Sequence, residues 1–533
     1  MDPRNTRKRK TIMSCAAREM IPDEGFRSRL LSGTALVCYV LLIRVALYLI
    51  AAANYGYFRD ELYYLACGEH PDWGYVDQPP LIGWMAWLLH HTIGTSLYAL
   101  RLAPLLAHLG TIILTAAMTR DLGGKRWAIF LSSLSVLAAP VILSMTHLFT
   151  MNAFDFLLWT LLAWILVRLI RSGSERIWLC MGIVIGVSLL NKYTIAFFAA
   201  ALFAGVLATP LRRSLARPWF WGGTAIAAIM ALPNFLWQWR HGFPFLELIA
   251  NIRLHGRDVV YNPVSFLGQQ AFMIGFIPAL LAAFGVWFLF TGRARKFAVL
   301  AWGFLGMLGL MILLQGKIYY VAPAYPMMFA CGAVGLEQWT EPKKTRWLRA
   351  AYALLALMIG GLVAPVIFPI LPVETFIAYT RRIGIEQPRM EHQPEGRLPQ
   401  IYADMFGWEE RVRLVAAYYR SLSPKEQKVT AIGAPNYGQA GAIDFFGPKY
   451  GLPKAICSHQ SYWYWGPRQY TGESIILLNE GNPQRYENLC RSLTLVASPN
   501  DPFARPDENR PIYHCRGLKG NLQQLWPTLR HFD

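Results

Sequence analysis

"YFRDELYYLACGEHPDWGYVDQPPLIGWM", residues 57–85, gathers Arg59, Asp60, Glu61, Asp72 and Asp77 in a chain otherwise poor in charge. Of its 533 residues, 54% are hydrophobic and only 16% charged, whereas a soluble domain carries about 25% charged residues. This is the composition of a membrane protein. Carboxylates held beside an apolar phase are costly, about 2.5–3.5 kcal/mol each at a bilayer centre, so acids at its boundary need a reason.

Working outward from this stretch, apolar runs long enough to cross a bilayer occupy residues 30–53 before it and 99–118, 127–145, 150–170, 177–191, 193–209, 219–237, 266–290, 297–315, 319–337 and 348–370 after it. At about 17–25 residues per crossing these make about eleven spans. The run 30–53 exceeds a secretory h-region and reads as a retained first helix behind a basic cytoplasmic tail, residues 1–29. Basic clusters fall on every second link: Arg120/Lys125/Arg126, Arg168/Arg171/Arg176, Arg212/Arg213/Arg217, Arg293/Arg295/Lys296 and Lys343/Lys344/Arg346/Arg349. By the positive-inside rule those links face the cytoplasm. The 54–98 loop, "THLFTMN" (146–152), "NKYT" (191–194), residues 238–265, "QGKIYY" (315–320) and the C-terminal part then face outward. The formal charge of +19 is spread over these clusters. It matches topology and anionic lipid headgroups rather than a nucleic-acid partner.

The expected fold is thus an α-helical polytopic membrane domain, residues 30–372, followed by a small α/β domain over 373–533. Its strand-like runs are "VTAIGA" (429–434), "ESIILLN" (473–479) and "LTLVAS" (493–498), with "GQAGAIDFFGPKYG" helical between the first two. None of the eight cysteines has zinc or iron-site spacing, and Cys490 with Cys515 is the disulfide expected of an outward-facing domain.

Asp60 and Glu61 follow the first span by a few residues, within an aromatic segment suited to the membrane interface, and Leu81–Leu89 behind Pro79 and Pro80 reads as an interfacial helix too short to cross. Asp155 near the outer end of the fourth run calls for a cavity or a partner. Arg44, inside the first span, has no partner assignable from sequence. Lys192 and Lys317 sit at outward helix ends, where a snorkelling lysine is the ordinary reading. Acids and cations on one boundary suit a lipid-linked substrate, whose reaction needs a base for an acceptor hydroxyl and cations for a departing phosphate. A transporter or flippase of lipid-linked sugars would also use such charges, but nearer the bilayer midplane. A divalent cation held by Asp60, Glu61, Asp155 and His147 stays open, although their spacing fits no specific metal site.

"RDELYYLACGEHPDWGYVDQPPLIGWM", "HLFTMNAFDFLLWTLLAW", "LLNKYT" and "KIYYVAPAYPMMFA" together resemble the bacterial protein-mannosyltransferase and aminoarabinose-transferase superfamily, glycosyltransferase family 39, over residues 30–340. The resemblance implies a GT-C fold and transfer of a sugar, with inversion, from a polyprenyl-phosphate donor to a glycan, lipid or protein acceptor at the periplasmic side of a bacterial inner membrane. It implies Asp60 as general base, with Glu61 and Asp155 as its acidic companions. Lys192, Lys317, Arg253 and Arg257 are candidates for the donor phosphate, and Arg59, Tyr63, Asp77, Tyr319 and Tyr320 for substrate contacts. The C-terminal "NYGQAGAIDFFGPKYGLP" and "SYWYWGP" offer aromatics either for an acceptor groove or for that domain's own core.

Overall fold

The computed structural model describes residues 31–385, 391–392, 394, 396–478 and 484–533; the basic tail 1–29 lies outside the described residues. Helix α1 (Gly33–Ala51) is capped by Ser32, whose hydroxyl accepts from the Ala35 N–H. Two helices of the 54–98 loop follow, α2 (Arg59–Glu69) and α3 (Leu81–Thr92). The helical body then comprises α4 (Leu97–Asp121), α5 (Arg126–Ala138), α6 (Pro140–Met145), α7 (Met151–Ser172), α8 (Ile177–Asn191), α9 (Ile195–Leu207) and α10 (Pro218–Arg240). It continues through α11 (Pro244–Leu254), α12 (Pro263–Ile274), α13 (Phe276–Leu289), α14 (Ala298–Leu313), α15 (Tyr325–Trp339) and α16 (Trp347–Ile367). Large apolar side chains such as Ile229 and Leu280 stand 67% and 68% exposed on this body, as a lipid-facing surface requires.

Every apolar run read from the sequence holds a helix, but not always an unbroken one. Among the described residues, six helices are long and apolar enough to cross a membrane, and eight if each bent pair counts as one span. The expected single span 266–290 is two helices, α12 and α13, bent by 114°. Gly275 between them has φ +86°, a conformation that glycine adopts at no steric cost. The run 127–145 likewise breaks into α5 and α6 where Pro140 begins a new helix, since proline cannot donate the hydrogen bond that would continue the old one. Arg44 finds its partners across the helices: Nε donates to His108 Nδ1 (2.8 Å) and Nη2 to the Thr146 carbonyl (2.9 Å).

The 22 residues of α7 extend about 33 Å and separate two cavities. Arg171, near its C-terminal end, lines a cavity of about 1270 Å³ with Lys125, Arg126, Lys296, Arg346 and Arg349, so four of the basic links do meet at one end of the body. Asn152, on its first turn, lines the cavity at the other end.

After α17 (Val373–Ile383), the C-terminal part contains α18 (Trp408–Ser421), α19 (Tyr437–Phe446) and strands β1 (Thr430–Ala434), β2 (Ile456–Cys457), β3 (Ser474–Leu478), β4 (Cys490–Ala497) and β5 (Ile512–Leu518). They form one sheet in the order β2-β1-β3-β5-β4. β1 runs parallel to β2 and β3, while β5 is antiparallel to β3 and β4. The Cys490–Cys515 disulfide joins β4 to β5, with Cα atoms 5.5 Å apart. One buried core runs from Leu62, Tyr63 and Cys67 of α2 through Trp408 and Val412 of α18 to Ile432 and Ile476 of the sheet. The 54–98 loop and the C-terminal part therefore pack as a unit.

Candidate active site

α2 begins where Glu61 reaches back to accept from the Phe58 N–H (2.9 Å), satisfying a donor the helix leaves unpaired. The same carboxylate takes Arg101 Nε (3.1 Å) and Nη2 (2.9 Å) and the Phe149 N–H (2.9 Å). Arg101 donates onward to the Ala52 and Gly56 carbonyls. Both side chains are fully buried. Glu61, expected beside the base, thus clasps the end of α1, the start of α2, α4 and the 146–150 turn together, and it does not line the cavity.

Its neighbour Asp60 does. It stands in the first turn of α2, where exposed N–H groups favour an anion, and faces a cavity of about 410 Å³. Most of the wall is apolar, from Ala138, Pro140, Val141 and Met145 to Phe276, Ile277, Ile359 and Val363. At Asp60 the lining turns polar: Asn152, Lys317, Tyr319, Glu391, Gln400, Asp404 and Arg505. Tyr437, from α19, donates to Asp60 Oδ1 at 2.9 Å. Burial pushes the Asp60 carboxyl above the ordinary aspartate range, while the Tyr437 hydrogen bond and the Arg59 charge pull it back. Arg59 lies over the Tyr437 ring, 4.7 Å from its centroid. A Cβ on Gly438 would come within 2.6 Å of the Arg59 side chain, so a glycine there lets α19 approach α2 closely.

Lys317 Nζ is 3.0 Å from Asp258 and 3.1 Å from Glu391, and Arg257 Nη2 reaches the same Glu391 oxygen at 2.9 Å. Burial alone would push Glu391 up, but Lys317 and Arg257 hold its carboxyl well below the usual range. Arg253 is exposed on α11 and lies off the cavity.

Asp155 is buried on α7 and accepts from Asn191 Nδ2 (2.8 Å) and the Thr194 hydroxyl (3.3 Å), with Lys192 Nζ at 4.0 Å. Lys192 follows α8 directly; its ammonium donates to Asn152 Oδ1 (2.5 Å) and lies 4.7 Å from the Tyr320 and 5.2 Å from the Tyr319 ring centroids. Burial pulls the Lys192 pKa down to about 8 against the pull of Asp155. Neither Asp155 nor Lys192 lines the cavity; Asp155 reaches it through Lys192 and then Asn152, which does. Tyr63 and Asp77 form a separate, partly buried pair (2.9 Å), with desolvation pushing Asp77 up to about 7. They touch the site through the Tyr63–Tyr437 ring contact, with centroids 4.6 Å apart.

Among the described residues, Asp60, Glu61, Asp155 and His147 form no metal-binding cluster. Sequence reading missed Tyr437, Glu391, Asp404 and Arg505. Tyr437 lies in the quoted "NYGQAGAIDFF" segment, but nothing in its spacing points to Asp60, 377 residues away. Tyr462 of "SYWYWGP" is core, its hydroxyl bound to Asp444, and Trp465 stacks on His70 at 4.2 Å; this motif packs the C-terminal part onto the loop.

Residues 77–237 match the dolichyl-phosphate-mannose-protein mannosyltransferase family. Over 90% of its length the chain superposes on 97% of ArnT from Cupriavidus metallidurans bound to undecaprenyl phosphate, with a TM-score of 0.56 and 14% identity. The chain has the GT-C glycosyltransferase fold. Lipid A galacturonosyltransferase RgtD of Rhizobium johnstonii is 26% identical over 272 residues, which cover 49% of this chain and 55% of RgtD. The lipopolysaccharide core galacturonosyltransferase RgtB of the same organism is 26% identical over 166 residues, 31% of this chain and 34% of RgtB. The chain thus spans about half the length of RgtD and a third of RgtB, and this GT-C chain is related to membrane glycosyltransferases.

Proposed function

We propose that this protein is an integral membrane glycosyltransferase that moves a sugar from a polyprenyl-phosphate donor to an acceptor hydroxyl, with inversion at the anomeric carbon. The observation that carries this reading is the junction at Asp60, where an apolar-walled cavity becomes polar and a carboxylate and Lys317 share its lining. The polyprenyl tail lies along the apolar wall. Its phosphate is taken by Lys317, with Arg257 and Lys192 close behind. Asp60 removes the acceptor proton as the hydroxyl oxygen bonds to the anomeric carbon. The bond from that carbon to the phosphate oxygen breaks, and polyprenyl phosphate leaves. A base in this role contributes roughly 10²–10⁴ in rate. The undecaprenyl phosphate bound to ArnT, a protein of the same fold, supports the donor class. The names of the Rhizobium relatives favour lipid A or a lipopolysaccharide core as the acceptor class. We place the site on the periplasmic side of a bacterial inner membrane, because the basic links gather at the opposite end of α7.

Mass spectrometry of envelope glycolipids, polysaccharides and glycoproteins from cells with and without the gene tests the reading. A sugar lost from one acceptor class, and not restored by Asp60→Asn, is the expected result. An unchanged envelope, with transport of a lipid-linked sugar by the purified protein, would replace it with the flippase alternative.

A further inference from the structure

Among the described residues, His459, His531 and Asp533 are a group whose ligand atoms all lie within 4.8 Å of one another. We propose that these three side chains form a binding site for a divalent transition-metal ion, zinc foremost, that clamps the 530–533 segment onto the segment carrying His459. Two imidazoles and one carboxylate are a borderline donor set, suited to zinc and its first-row neighbours and poorly to calcium or magnesium.

The site is organised before any ion arrives. The His459 and His531 rings stack with centroids 4.7 Å apart and planes 6° from parallel, which sets their edges side by side. His459 Nε2 lies 3.0 Å from Asp533 Oδ1. His531 Nδ1 is directed at the Leu529 carbonyl (3.4 Å), which leaves Nε2 as its ligand atom, an orienting contact of the kind metal-bound histidines use. The supporting backbone is anchored on both sides: Phe532 is fully buried, and its carbonyl accepts from Asn251 Nδ2 at 2.6 Å. Gln460 Nε2 donates to the Asp533 backbone carbonyl at 2.7 Å. His531 and Asp533 are only partly buried, giving an ion a way in.

The clamp has a neighbour of consequence. On its other face the His459 ring stacks on Tyr437, with centroids 5.2 Å apart, and Tyr437 holds Asp60. An ion at His459 would stiffen the column His531–His459–Tyr437 without touching the cavity, so the group is structural in this proposal.

The test is a metal titration of the untagged full-length protein in detergent, stripped with a chelator and returned to zinc or cobalt(II). One equivalent per chain is expected, with X-ray absorption showing imidazole and oxygen but no sulfur scattering, and zinc raising the melting temperature. His531→Ala and Asp533→Asn should each weaken binding about tenfold or more and abolish the zinc-dependent stabilisation, read as the difference in melting temperature between the zinc-loaded and stripped forms of the same variant. A His90→Ala/His91→Ala control, on α3, should bind as wild type does. Absence of stoichiometric binding, or binding that survives both ligand substitutions, would reduce the cluster to an ion pair between His459 and Asp533 and overturn the proposal. Should a variant fail to fold, the wild-type absorption spectrum still decides: fewer than two imidazoles per ion is incompatible with this site.

Discussion

Tyr437 of the C-terminal part donates its hydroxyl hydrogen to Asp60 of the 54–98 loop across 2.9 Å. The carboxylate proposed to act as base is thus positioned from outside the helical body, and the C-terminal part is a component of the site. Removing that bond tests the relationship. A hydrogen bond to the ionised form lowers a carboxyl pKa, so its loss raises it. Tyr437→Phe keeps the ring under Arg59 and should move the acidic limb of the transfer rate to higher pH, with a smaller loss at the plateau. An unshifted limb would mean that Tyr437 only packs.

Glu391 occupies both Lys317 and Arg257, the cations nearest the proposed phosphate position. An incoming phosphate must compete with this carboxylate. Glu391→Gln should therefore tighten undecaprenyl phosphate binding by about tenfold, the equivalent of one charge-assisted hydrogen bond, and Lys317→Met should weaken it. Native mass spectrometry or a fluorescence titration measures both, and equal affinity in wild type and Glu391→Gln would refute the competition.

Asp155 acts on the cavity through Lys192. Its carboxylate raises the Lys192 pKa, which stands at about 8, so Asp155→Asn drives it lower and the ammonium loses its charge at a lower pH. The donor KM should then rise from lower pH upward, while kcat in saturating donor changes little. A kcat loss with unaltered KM would instead put Asp155 at the chemical step.

The Glu61–Arg101 pair is a fold determinant. Leaving either charge buried alone costs about 3–5 kcal/mol, so Glu61→Gln and Arg101→Met should each lower the melting temperature sharply. The double variant should recover part of the loss. Thermal unfolding in detergent reads this directly, and additive losses would show that the pair is not coupled.

Chain order and chemistry told much of this in advance. Each apolar run held a helix, because hydrophobic length is a local property, whereas α11, inside the 238–265 link, lay outside every such run. Rare acids at the membrane boundary marked Asp60, because burying a carboxylate is too costly to happen without cause. The half-cystines Cys490 and Cys515 and three of the five strands were likewise legible. Gly275 and Pro140 were visible as residues, yet whether they bend a span or merely sit in it depends on what packs around them. β2, only two residues long, and β5 took shape against neighbours already in the sheet.

The division between Asp60 and Glu61 is where local reading ended. Adjacent acids look equivalent along the chain, but successive residues on a helix point about 100° apart. One carboxylate therefore met Arg101 in the interior and the other met the cavity. The partners that complete the site come from distant parts of the chain: Tyr437 reaches Asp60 across 377 residues and Glu391 reaches Lys317 across 74. These contacts follow from how the segments after the helical body dock on the 54–98 loop and on Lys317, a long-range packing outcome with no periodicity to betray it.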